Sequence, residues 1–137
     1  MVRNVIALIA GILAFYLLHG LIFWILVSLG IIPFKGFLSA IEGSNPTLFF
    51  DLAEKILKIE VFLAFPISSL LVGGIVGIMG KNKQYWVAAA AVCPHYVAYA
   101  YPSLFFHSIY SFFTFFGPTF LGVFVVRAVR YRGSSAQ

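Results

Sequence analysis

Two histidines stand in long apolar runs, far along the chain from any carboxylate, lysine or arginine. His19 lies in "FYLLHGLIFW" (15–24) and His95 in "CPHYVAYAYP" (93–102). An imidazole in such a setting has three chemical uses. It can ligate haem iron, for which axial histidine is common. It can relay protons, as intramembrane ionisable residues do. As a neutral ring it can hydrogen-bond one helix to another. At a rise of 1.5 Å per residue, His19 is roughly 21 Å along a helix begun at Val5, and His95 roughly 13 Å along one begun at Trp86. One haem iron would therefore need ligands about 8 Å apart in depth. No third ligand shares either depth, so no copper or zinc site is expected. His107 falls at a surface. The hydrogen-bonding use pairs His19 with Tyr110, Ser111 or Thr114 and His95 with Ser69 or Thr119, while Pro94 kinks its helix and aims His95 inward.

The elements that must position these rings are set by composition. The chain has 137 residues, of which 62% are hydrophobic and 9% charged. Its mean hydropathy is +1.03. Soluble domains carry about 25% charged residues, and a chain of this length has too little interior to hide so much apolar surface. The class is all-α integral membrane protein, in one domain. Four apolar segments, at about 5–32, 60–79, 85–101 and 108–126, are each near the roughly 20 residues needed to cross a bilayer. The first is too long for a secretory signal and reads as a retained span. A tight turn at Pro102–His107 pairs the last two. The single Cys93 excludes an internal disulfide. No phosphate-binding, zinc-protease or nucleophile-elbow motif occurs, so no enzyme activity is expected.

Charge orients the spans. Arg3, Lys81, Lys83, Arg127, Arg130 and Arg132 share one side with no acid. Lys35, Lys55 and Lys58 share the first loop with all four acids, Glu42, Asp51, Glu54 and Glu60. The positive-inside rule puts both termini in the cytoplasm. Tyr85 and Trp86, with Tyr99 and Tyr101, mark the two boundaries of the third span.

The first loop holds an amphipathic helix over about 46–58, outside the membrane, before the second span. Ser44 or Asn45 caps it and Pro46 opens it. Asp51–Lys55 and Glu54–Lys58 have i,i+4 spacing. The basic tail attracts anionic lipid, and residues 133–137 are expected to be disordered.

Ser69, Gly73 and Gly77 form a strip of small residues on the second span, and Ala88 and Ala91 answer it from the third. Such strips let helices approach closely in lipid. Pro66, Pro94 and Pro118 interrupt three spans and free backbone carbonyls, which in lipid need other partners.

Gly73, Gly74, Gly77, Lys81, Trp86, Pro94, His95, Gly122, Arg127 and Arg130 form a pattern over the second half. It resembles small bacterial four-helix inner-membrane proteins of unknown function. The resemblance implies a bacterial inner membrane and nothing about chemistry. Together these features point to an accessory or structural subunit of a larger membrane assembly, in contact with lipid and with other membrane subunits or further copies of itself, and not with nucleic acid. The alternative is a small oligomeric transporter or channel built on the kinked, histidine-bearing helices. A haem- or quinone-binding redox subunit using His19 and His95 stands third.

Overall fold

The computed structural model describes residues 2–81, 83–100 and 109–134. All regular structure among them is helical: α1 (Val2–Ser28), α2 (Phe34–Glu42), α3 (Pro46–Ile59), a π-helical turn (Glu60–Ala64), α4 (Phe65–Met79), α5 (Gln84–Ala100) and α6 (Ile109–Ser134). Three helical stretches are long and apolar enough to cross a membrane: Val2–Ser28, Pro46–Met79 and Phe112–Tyr131. α5 packs among them but has only 17 residues. The expected turn at 102–107, His107 and the end of the tail lie outside the described residues. Helix α6 nevertheless runs to Ser134, into the segment expected to be disordered.

α1 ends four residues earlier than its apolar run. Gly30 adopts φ +72°, a conformation open to glycine without a Cβ penalty. Its N–H donates to the Val27 carbonyl, and the N–H of Ile31 to the Leu26 carbonyl. That pair of bonds is a Schellman termination, which satisfies the last carbonyls of a helix. The chain then turns through Pro33 into α2. Leu26, Ile32 and Ala64 are buried together there and tie the end of α1 to the π turn.

Asn45, not Ser44, caps α3: its Oδ1 accepts from the N–H of Leu48 at 3.1 Å. Ser44 instead takes a left-handed φ of 50° in the turn before it. α3 leads directly into the π turn and α4, so Pro46–Met79 is one helix of 34 residues. The cause of the π turn is next to it. Pro66 brings no N–H and its ring crowds the carbonyl four residues back. The N–H of Phe65 reaches the Glu60 carbonyl, five residues back, and this wider turn makes room for the proline. At Pro94 and Pro118 the helices run through. Ser68 and Thr119 return their hydroxyls to the carbonyls of Ala64 and Phe115, at 2.7 and 2.6 Å. Such back-bonding bends helices gently.

The strip of small residues on α4 packs against α6, whereas the alanines of α5 were its expected partner. A Cβ on Gly73 would meet the carbonyl of Thr119, and one on Gly122 would meet that of Leu70. The two backbones therefore touch where neither helix carries a side chain. Ala91 of α5 instead faces Gly11 of α1. Ser69, Gly73, Gly77, Ala88 and Ala91 are all buried inside one copy of the chain.

One end of the bundle is held by cations. The last carbonyls of a helix have no intrahelical partner and carry the negative end of its dipole. At the end of α4, Arg3 donates to the carbonyls of Met79 and Ile78. Arg130 donates to those of Gly77 and Ile78, and Gln84 to those of Gly77 and Gly80. The first and last helices are thus fastened to the same turn.

Candidate functional site

His19 and His95 meet the same stack of aromatic rings. His95 projects from α5 onto Phe15 of α1, with centroids 4.1 Å apart and planes 16° apart. Tyr16 meets it edge-on at 4.1 Å. His19, one turn beyond Phe15, stacks on Phe65 at 4.7 Å and 6°. Phe115 of α6 closes the cluster, 4.7 Å from Phe65, and Tyr96 meets Phe115 edge-on at 5.6 Å. Phe15, Phe65 and Phe115 are at most 2% exposed. Four elements therefore converge on one aromatic core, and α1 supplies its centre through Phe15.

The Tyr110 and Ser111 side chains, expected partners of His19, lie outside the described ones. The His95 ring lies against the backbone carbonyl of Ile12 on α1, and the Thr119 hydroxyl is turned to its own helix. Glu60 faces His19, with Oε1 3.8 Å from Nε2. Charge alone groups Glu60 with the first loop, but its place in the π turn, one residue past α3, carries its carboxylate onto α1. π turns recur at functional sites because they re-aim side chains. Three buried polar atoms have no hydrogen-bond partner among the described residues: Nδ1 of His19, Oγ of Ser69 and Nε2 of His95. Buried groups of this kind are uncommon in native structures, and within a bilayer water is not at hand to satisfy them.

Each imidazole carries a phenylalanine ring on its face, Phe15 on His95 and Phe65 on His19. No group of three histidine, cysteine, aspartate or glutamate side chains converges among the described residues. Cys93 is exposed on α5.

Comparison of the chain with protein-family models, with curated proteins and with solved structures finds no match. Two features of the molecule remain as functional candidates: the titratable cluster of His19, Glu60 and His95, and the helical pair α2–α3 outside the bundle. α3 buries none of its residues. Leu38, Ile41, Leu48 and Phe50 are between 43% and 67% exposed. Phe34 ties the pair to the bundle by edge contacts with Phe23 and Trp24 of α1.

Proposed function

We propose that this chain is a non-enzymatic accessory subunit of a larger assembly in a bacterial inner membrane, with four spans and both termini cytoplasmic. The observation that carries this reading is the single helix Pro46–Met79. Its 34 residues measure about 51 Å, against a hydrocarbon core of about 30 Å. With Met79 at one boundary, about 20 Å of helix stands beyond the other. That projecting part is α3, accompanied by α2. Both present apolar side chains where water, not lipid, is the neighbour. Exposed apolar patches outside a membrane mark sites of protein contact. The occupant is another membrane subunit with an extracytoplasmic part that covers the α2–α3 pair.

The test is native mass spectrometry of the protein extracted gently from its own membrane. The expected result is a fixed stoichiometric partner, which is lost when Leu48 and Phe50 are replaced by serine. Both side chains are exposed, so the bundle is retained. A chain that emerges alone, or only with copies of itself, overturns the reading.

The unpartnered nitrogens of His19 and His95, on one aromatic core with Glu60 facing His19, favour a second reading, a small oligomeric channel or transporter. A carboxylate and two imidazoles ascending one core are the groups a proton relay uses. On this reading liposomes containing the protein pass protons, and the flux is lost in Glu60→Gln and in His95→Ala. Absence of flux in the unaltered protein removes it.

A further inference from the structure

The cationic end of the bundle holds a cleft with no role in either reading above. It has a volume of about 300 Å³, is open to solvent, and is lined by Lys81, Lys83, Gln84, Arg127, Arg130 and Tyr131. Four of these six residues are cations. All four acids of the chain lie between residues 42 and 60, on the far side of the bundle's α1–α4 span. No ion pair neutralises the four cations among the described residues.

The walls are held in place by bonds that leave charge facing the opening. The N–H of Lys81 donates to Oδ1 of Asn4 at 3.2 Å and fixes the turn to α1. Arg127 lies over the ring of Tyr85, 5.6 Å from its centroid, a contact that attracts a cation to the ring face. Gln84 is 93% buried and donates to the carbonyls of Gly77, in α4, and Gly80, just past it. Lys83 adopts φ +56°, a left-handed conformation costly for a side chain with a Cβ. α5 begins at Gln84, on the cleft wall, and the first turn of a helix leaves backbone N–H groups that favour an anion. Depth adds a further constraint. Arg3 and Trp24 are about 31 Å apart along α1, close to the thickness of a hydrocarbon core. The cleft, beside Arg3, stands where lipid phosphates stand.

We propose that this cleft binds a phosphate group, that of an anionic lipid headgroup at the membrane surface. Basic pockets between membrane helices on the cytoplasmic side are suited to that chemistry. Lys81, Lys83 and Arg127 supply the charge. Arg130 positions the wall, because its guanidinium is already engaged with the end of α4.

The experiment uses the full chain in detergent, delipidated and then offered phosphatidylglycerol or phosphatidylcholine, with retained lipid read by native mass spectrometry. A parallel titration uses inorganic phosphate. The expected result is at least tenfold preference for phosphatidylglycerol. The preference is abolished by the triple variant Lys81→Gln, Lys83→Gln, Arg127→Gln, whose melting temperature is unchanged. The matched variant Lys35→Gln, Lys55→Gln, Lys58→Gln, with the same change in net charge, keeps it. Tight binding of inorganic phosphate, lost in the first triple variant and without lipid preference, retains the phosphate site and assigns it to a soluble ion. Equal retention of the two lipids with no phosphate binding overturns the proposal. So does an equal loss in both triple variants, which would mark net charge alone.

Discussion

The Glu60 carboxylate stands 3.8 Å from the imidazole of His19, although 41 positions separate them, His19 in the middle of one long apolar segment and Glu60 at the start of another. Replacing His19 with phenylalanine keeps the stack on Phe65 and removes the polar atoms. A double-mutant cycle of His19→Phe with Glu60→Gln isolates the pair. The expected coupling is about 1 kcal/mol, the scale of polar contacts between membrane helices. Reversible unfolding in bicelles measures it, and a coupling near zero would mean that the two groups are only neighbours.

Gly73 and Gly74 are adjacent on α4 and make opposite predictions. A methyl group at Gly73 lands on the Thr119 carbonyl, while one at Gly74 meets nothing within 4 Å. Gly73→Ala forces α4 and α6 apart and is expected to destabilise by about 2 kcal/mol or more. Gly74→Ala gains helix propensity and is neutral or stabilising by up to about 1 kcal/mol. Melting temperatures of the two variants in the same detergent decide this. Equal losses would mean that the α4–α6 crossing lies elsewhere.

Arg130 closes the end of α4 from the last helix of the chain. Arg130→Gln withdraws charged donors from the carbonyls of Gly77 and Ile78. Because the side chain is exposed, the expected loss is about 1 kcal/mol, at the low end for bonds to a charged group. It should shrink further in high salt, since exposed charges are screened. A thermal scan at two ionic strengths is the measurement.

The four-span arrangement has its own test. In a Cys93→Ser background, Ser44→Cys and Lys83→Cys each place one thiol in a turn at opposite ends of the Pro46–Met79 helix. A membrane-impermeant maleimide should label the first in intact cells and the second only after the membrane is opened. Labelling of both in intact cells would end that topology.

Much of the scaffold was legible in the sequence. Apolar length located α1, α4 and α6, and the Asn45–Pro46 pair gave the start of α3, because capping chemistry is local. Three things were not legible, each for a physical reason. The apolar residues Leu29, Ile31 and Ile32 hid the end of α1, and Gly30 among them was its one signal, since a Schellman turn flanked by apolar residues looks like more helix. The small residues on α4 showed which face permits close approach but not which helix lies on it, and α6 took the place expected for α5. Glu60 carried the charge of a loop residue, and only the π turn brings it against His19. The one available signal was Pro66, six residues on, which demands some relaxation of the helix before it.

The π turn also has a mechanical meaning. An α-helix advances about 100° per residue, so one residue of slack between Glu60 and Ala64 sets the azimuth of everything before it. Relaxing the turn to α geometry would swing α3 by nearly a third of a revolution and carry Glu60 off the face of α1. The heading of α3 and the closeness of Glu60 to His19 are thus one coordinate. On the proposed topology, a torque applied to α3 is felt first at the Glu60 carboxylate.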